Sequence, residues 1–434
     1  VRRQRLYYVF LLLIAAYCTN AQEAVYIASN SVVGIGTNQS VGVFGHLLND
    51  GNVSLPKDGK LYFMGKIFRN SSTGKITDAT AQNNSRNGGT VIFRLPSSGY
   101  PSPGQQIVES NYVDSTDSGS SFANIVIDNA DGIRMVSDMH VLQAVQFNRG
   151  HIYLNKYNVA LGDSVTYAYI NGYDNTRFFV TGTEIKGGYV RIKSVSANQL
   201  VAFPIGITAT VYTPMELKLN SAKTDILSRV FYKVYTNATS GLPETDSLLN
   251  ATWDLFTSRG AINSDAEVVL QNDHAVESNV FKANRGGSYV SLFKNNRWDK
   301  MQFFPQPQMP GTITSTFTIP NAIMNSRKVT LQRQPTYLTK RVGYEKIKRF
   351  IPNVFSPNGD GINDDWQVKF LVQYPNCRVE IFNRSGVKLF ESKGYNRPWD
   401  GTFNGKPVPV ATYYYLINLN NDEPPISGYV AVLR

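Results

Sequence analysis

Apolar residues two positions apart, broken by short polar clusters, recur along most of the chain. From Phe122 the pattern is clearest: Ile125 and Ile127, a turn at Asn129-Ala130-Asp131-Gly132, Ile133 and Met135, then Val141, Val145 and Phe147. A second turn at Asn148-Arg149-Gly150 leads to Ile152 and Leu154, then Val159 and Leu161, ending at Gly162-Asp163. A period of two sends alternate side chains to one face of a strand, so each run predicts a β-strand with one buried face. Turn residues return every ~8 to 12 positions, the spacing of a β-sandwich or β-solenoid, and helix signals are nearly absent. Gly59-Lys60-Leu61-Tyr62-Phe63 and Gly150-His151-Ile152-Tyr153-Leu154 share the form Gly, polar, aliphatic, Tyr, apolar. This echo is compatible with stacked rungs, each hiding its faces against neighbours.

The predicted fold class is all-β. Residues 22–185 read as a β-solenoid-like or elongated β domain, with a plain sandwich also compatible. Residues 186–333 read as a β-sandwich, with strands at Tyr189-Val190-Arg191-Ile192, Leu200 to Phe203, Val230 to Val234 and Val268 to Leu270. Phe203-Pro204-Ile205-Gly206, Thr252-Trp253-Asp254 and Tyr289-Val290 with Trp298 resemble β-sandwich segments of cell-surface proteins of gliding Gram-negative bacteria. Trp253 and Trp298 are expected as core anchors. Residues 334–348, with Pro335 and the basic cluster Lys340, Arg341, Lys346, Lys348 and Arg349, read as a linker, and residues 349–434 as a small Ig-like sandwich.

At the N-terminus Arg2, Arg3 and Arg5 precede an apolar run from Leu6 to Ala16. Those 11 residues fit a secretory signal and fall short of the ~20 needed to span a bilayer. Thr19-Asn20-Ala21 places cleavage after Ala21, giving a signal peptide over 1–21; a lipid anchor on Cys18 is disfavoured by the bulky Tyr17 before it. No other segment is apolar and long enough for a transmembrane helix. Cleavage removes Cys18 and leaves Cys377 alone, so the exported chain is held by core burial and not by an internal disulfide. It also lowers the net charge from +11 to +8, without the clustered basic module that nucleic-acid binding requires. The charge fits contact with anionic surfaces or polysaccharide.

Catalytic chemistry is hard to find. His46, His140, His151 and His274 show no metal-ligand spacing, and there is no nucleophile elbow or phosphate loop, so no catalytic residue is assigned. Asp128, Asp131, Asp138, Arg134 and Arg149 are the residues that stacked rungs could gather on one face, and as isolated residues they read better as turn formers. The polar stretches Asn70 to Gly89 and Pro96 to Ser121 read as surface loops and as the best location for a ligand surface. Asp114-Ser115-Thr116, Asp163-Ser164-Val165 and Asp246-Ser247-Leu248 resemble a short bacterial O-glycosylation sequence.

The C-terminal fifth is the most informative. Ser356-Pro357-Asn358-Gly359-Asp360-Gly361-Ile362-Asn363-Asp364, Ile381-Phe382-Asn383-Arg384, Trp399-Asp400-Gly401, Val408-Pro409 with Thr412-Tyr413-Tyr414-Tyr415, and a last strand ending in Arg434 follow in order. This order resembles the gliding motility-associated C-terminal domain, the type B sorting domain of the type IX secretion system. Ser385 and Ala411 depart from the pattern where an aromatic residue and a glycine are usual. The resemblance implies an address read by the type IX translocon and its outer-membrane partner proteins. Its motif residues here are Pro357, Asn358, Gly359, Asp360, Gly361, Asn363, Asp364, Asn383, Arg384, Trp399, Asp400, Gly401, Tyr413, Tyr414 and Arg434. Asn358, Asp360, Asn363, Asp364 and Asp365 present oxygen ligands at short spacing, a composition calcium uses, although the closing bidentate Glu is missing; the competing reading is an Asx turn. No other cofactor is expected. The expectation is a non-enzymatic, adhesin-like binding protein, secreted across the outer membrane to the cell surface or medium. The alternatives are an exported carbohydrate-active enzyme or glycan-binding protein, and a structural component of a surface assembly.

Overall fold

The computed structural model describes residues 24–78, 86–97, 100–220, 223–244, 247–259, 263–299, 324–342, 351–420 and 425–434. The expected signal peptide over 1–21, Asp246, and residues 343–348 of the expected linker lie outside them.

The first compact unit comprises residues up to Tyr232 with Ala251–Val276 and Met309–Tyr337. Its N-terminal part is a stack of parallel strands. Ala24–Ile27, His46–Asn49, Ile67–Asn70, Gln106–Glu109, Ile133–Met135, Ile152–Tyr153, Phe179–Val180 and Ile205–Thr208 pair in that order in one sheet. Ser40–Val43, Lys60–Phe63, Thr90–Arg94, Phe122–Asp128, Met139–Arg149, Val159–Leu161 and Val190–Val195 form a second. Val32–Gly34, Asn52–Ser54 and Lys75–Thr77 form a short third. The chain visits the sheets in turn and returns one rung higher, the architecture of a β-solenoid.

Alternation explains the core. Leu61, Phe63, Val91, Phe93, Ile125, Ile127, Val145 and Phe147 are all buried. Because register is preserved from rung to rung, like side chains stack: Phe63 pairs with Phe93, their rings 5.9 Å apart, and Phe68 and Phe122 close the cluster at 5.4–6.3 Å. Edge-to-face rings at these separations contribute beyond their buried area. The pentapeptide echo does not mark the rung repeat, since Lys60–Phe63 lies in the second sheet and Ile152–Tyr153 in the first. The true rung partner of Gly59-x-Leu61-x-Phe63 is Gly89-x-Val91-x-Phe93. A Cβ on Gly89 would stand 2.3 Å from the Gly59 carbonyl, so that stacking leaves room for hydrogen alone.

The sheet does not break at residue 186. Val190–Val195 pairs parallel with Val159–Leu161 on one side and antiparallel with Thr224–Tyr232 on the other, and Thr224–Tyr232 continues to Ala251–Arg259. Facing them are the antiparallel strands Leu200–Phe203, Met215–Leu219, Ser264–Leu270 and Asn325–Leu331. Trp253, fully buried, donates its indole N–H across to the Thr213 carbonyl at 3.0 Å, as a core anchor should.

The second unit holds Lys233–Asn250, Glu277–Gln308 and Leu338–Arg434. Ser288–Lys294 pairs antiparallel with Thr336–Val342 and with Arg297–Trp298, where buried Trp298 donates to the Tyr235 carbonyl at 2.8 Å. Thr336–Val342 corrects part of the expected linker over 334–348: its Leu338 and Val342 alternate correctly, but the basic Lys340 and Arg341 beside them masked the strand. Both are buried, so they are not the exposed basic cluster the sequence suggested.

Burial pushes the Lys340 ammonium down to about 7, against an opposing pull from Glu277, and Nζ sits 5.9 Å from the Phe281 ring. The folded state therefore binds this proton more weakly than the unfolded chain does, so stability rises with pH from about 7 towards the unfolded lysine range near 10.5. The melting temperature of the wild type is expected to rise from pH 7 to 9.5, and that of Lys340→Met to stay flatter and lie higher at pH 7. Calorimetry of both across that window checks it.

Candidate functional site

In the C-terminal region, Val354–Phe355, Ile426–Val432, Ala411–Asn418, Arg378–Phe382 and Lys388–Lys393 form a five-stranded sheet, with Thr402–Phe403 and Lys406–Pro407 as a separate hairpin. One face carries Val379, Ile381, Tyr413, Tyr415, Ile417, Val430 and Val432, and Trp366, Leu371, Tyr395 and Trp399 close over it. Both tryptophans are fully buried, and their polar edges are satisfied. Trp366 N donates to Trp399 O (2.9 Å), Trp366 Nε1 to Pro352 O (2.6 Å) and Trp399 Nε1 to Thr402 O (3.0 Å). Tyr395 Oη donates to Trp366 O at 2.7 Å and accepts from Trp399 N at 3.2 Å. Cys377 is buried in the same core, where burial raises its thiol pKa, which makes it packing and not a reactive group.

Most sorting-motif residues make the turns that frame this core. Asp400 Oδ1 accepts from the Thr402 amide and hydroxyl at 3.0 and 2.7 Å, and Gly401 takes a φ of +71°. A Cβ there would stand 2.8 Å from Pro357 Cγ, which explains why Trp-Asp-Gly and Ser-Pro-Asn occur together: one turn packs on the other. Gly401→Ala is expected to cost about 1–2 kcal/mol from the left-handed backbone alone, seen as faster hydrogen exchange at the Trp366 and Trp399 amides. Arg434 donates to the carbonyls of Val408 (2.6 Å) and Gly401 (3.5 Å), so the last residue is fastened to the same turn. Asn383 Oδ1 accepts from the Ser385 and Val387 amides, shaping the hairpin that exposes Arg384. Tyr413 is buried with its hydroxyl on Pro409 O at 2.7 Å, whereas Tyr414 points outward.

The acidic loop is organised by its own backbone. Asp364 Oδ1 accepts from the Asn358 and Gly359 amides at 3.0 and 2.7 Å, and Oδ2 from Gly361 at 2.7 Å; these bonds hold its carboxyl below the usual range. Asp360 Oδ1 accepts from Ile362 N at 2.7 Å, and Asn358 Oδ1 from Asp360 N at 3.1 Å. Glycines at 359 and 361, both at positive φ, let successive amides turn inward to reach them. This is the Asx-turn arrangement. Among the described residues, no group of three or more His, Cys, Asp or Glu side chains is placed to hold a metal ion.

The outer face of the sheet carries a row that the motif reading caught only in part. Tyr414 lies directly opposite Tyr429 on one side and Phe382 on the other; Tyr414 is 47% and Tyr429 56% exposed. The alternation Tyr413-Tyr414-Tyr415, with its outer residues turned inward, is the signal that would have found the row.

Residues 349–432 match the family model of the CHU_C Type IX secretion signal domain. This C-terminal region is a type IX secretion signal domain. No curated protein and no solved structure matches the chain. A secretion signal domain of this type implies export of the chain across the outer membrane to the cell surface or extracellular space, and interaction with the type IX machinery. Among the described residues, no helix is long and apolar enough to cross a membrane.

Elsewhere, the charged residues weighed for catalysis are tied into the scaffold. Asp128 stands between Arg149 (2.8 Å) and Arg94 (3.8 Å), its partners on adjoining rungs. Asp138 accepts from the Asn158 and Asp114 amides, and Asn129 Oδ1 accepts from the Asp131 amide in its turn. Arg134 sits on Ile133–Met135 and is not joined to this group by any of those bonds.

A buried ionic cluster was missed by sequence reasoning. Arg191 bridges Asp114 at 2.8 Å and Asp225 at 2.7 Å, Lys193 reaches Asp117 at 2.7 Å, and Tyr112 Oη donates to Asp117 at 2.7 Å. Tyr112 stacks on His140 at 4.5 Å, and burial pushes the imidazole down to about 4, so it is neutral at physiological pH. The cluster pins Asp114 and Asp117 of the expected ligand loop to the strand Val190–Val195, while Val113, Ser115, Thr116 and Ser118 stay exposed. The signal was Arg191 and Lys193 at alternate positions of a strand. Ser115 and Ser164 of the glycosylation-like triplets are exposed in turns, and Ser247 is buried.

Proposed function

We propose that the chain is a non-enzymatic, adhesin-like surface protein whose solenoid is a passive binding or assembly scaffold and whose last domain is the export address. The observation that supports this most is that Asp128 and Asp138, two of the three carboxylates weighed for hydrolytic chemistry, are spent on arginines and backbone amides of the scaffold. Glycoside hydrolysis needs two carboxyl groups facing an open cleft ~5 to 9.5 Å apart. The test compares cells displaying the protein with cells lacking it for attachment to glass and polysaccharide-coated surfaces, alongside reducing-sugar release. Lost attachment without any difference in sugar release is the expected result; release that depends on the protein would overturn it.

The second reading, a structural component of a surface assembly, is favoured by the strand edges at the start of the solenoid, with which nothing pairs among the described residues.

Recognition by the export machinery is assigned to the outer aromatic row. Tyr414→Ser with Tyr429→Ser is expected to leave the melting temperature within a few degrees of wild type, since both rings are half exposed. Surface display is expected to fall severalfold, measured by protease accessibility on intact cells.

A further inference from the structure

The first turn of the solenoid ends in open strand edges. Ala24–Ile27, Val32–Gly34 and Ser40–Val43 are the terminal members of the three parallel sheets, and among the described residues nothing pairs with their outer side. Unpaired edges are ordinarily protected by charge, proline or a covering segment. Here the 22 residues from Ala24 to Gly45 contain no Asp, Glu, Lys, Arg or Pro, in a chain where 17% of residues are charged. The next two turns already carry Asp50, Lys57, Lys60, Lys66 and Arg69. Apolar side chains also stand open at this end: Val32 is 66%, Val33 44% and Val41 40% exposed.

At the opposite end both long sheets pass into antiparallel strands, Thr224–Tyr232 against Val190–Val195 and Val211–Tyr212 against Ile205–Thr208. A second molecule therefore cannot extend those sheets in parallel, which disfavours head-to-tail growth. An edge without charge is complementary to itself, and two identical edges meeting about a two-fold axis pair antiparallel and close the assembly. Cleavage after Ala21 would leave Gln22 and Glu23 ahead of the first strand, whereas 22 residues separate Ala24 from its partner His46 one rung on, so the remaining chain is too short to add a rung.

We infer that two copies of this chain join head to head through the first turn of the solenoid, the free edges of Ala24–Ile27, Val32–Gly34 and Ser40–Val43 pairing across a two-fold axis. The test is sedimentation equilibrium of the chain from Gln22 to Arg434, over a hundredfold range of concentration, for wild type and for Val33→Lys with Val41→Lys. The expected result is a monomer–dimer equilibrium in the wild type, with the dimer of the variant weakened by at least ~tenfold through like-charge contact, and an unchanged melting temperature. Should the variant fold poorly, hydrogen exchange of the wild-type amides over 24–43 gives an independent reading, because pairing requires their protection to rise with concentration. A wild type that stays monomeric throughout, a folded variant that dimerises as tightly, open-ended polymers, or exchange independent of concentration would each overturn the inference.

Discussion

Truncation after Lys348 is expected to abolish delivery to the cell surface and leave the protein in the periplasm. The secretion signal domain is confined to residues 349–432, and its core of Trp366, Trp399, Tyr413, Tyr415 and Val430 is assembled from residues within that segment. Truncation therefore removes that core complete. The measurement is protease accessibility on intact cells, with immunoblots of periplasm and medium, in a bacterium that has type IX secretion. Truncated protein accumulating in the periplasm, with surface or medium protein only for the full-length chain, is the expected outcome. Surface delivery of the truncated chain would remove the export role and return the domain to consideration as a binding module. Trp399→Ala gives a finer version: truncating a fully buried tryptophan costs about 3–5 kcal/mol, enough to unfold a small domain, and should reproduce the export defect.

The second large effect concerns the buried cluster. Arg191→Met keeps most of the side-chain volume but leaves Asp114 and Asp225 buried without their shared cation, in a site where Arg191 is 4% exposed. Removing one partner of such a group costs about 3–5 kcal/mol, because the desolvated charge left behind has no compensation. For a unit of this size that corresponds to a loss of roughly 6–10 °C in melting temperature. Adding Asp114→Asn and Asp225→Asn to Arg191→Met should recover much of the loss, since it removes the uncompensated charges. A triple variant no more stable than Arg191→Met would mean that the geometry of the bridge, and not its charge, pins Asp114 to the strand Val190–Val195.

The β class, the alternation that buries Ile125, Ile127 and Phe147, and the turns around Gly401 and Asn383 were legible because each depends on local alternation or on a turn's backbone demand. The core role of Trp253 was legible for a similar reason, as a large apolar residue within a strand pattern. The strand Thr336–Val342 was not, because Lys340 and Arg341 carry charges that local pattern assigns to solvent, and only their burial among other elements revealed otherwise. The rung repeat was also misaligned: Gly59-x-Leu61-x-Phe63 resembles the segment at Gly150 as closely as it does its partner at Gly89, and stacking selects between them by requiring no side chain where one turn crosses the next.

By itself the sequence determined what short-range physics controls: strands by a period of two, turns by Gly, Asn and Asp, and an export domain by motifs that encode its own turns. Tertiary structure alone decided which strands stack, that Arg191, Asp114, Asp117, Lys193 and Asp225 meet although up to 111 positions separate them in the chain, and that among the described residues nothing pairs with the outer edges at Ala24–Val43. The physical reason is that ion pairing and edge pairing depend on distance in space, which loops of arbitrary length set and local composition does not record.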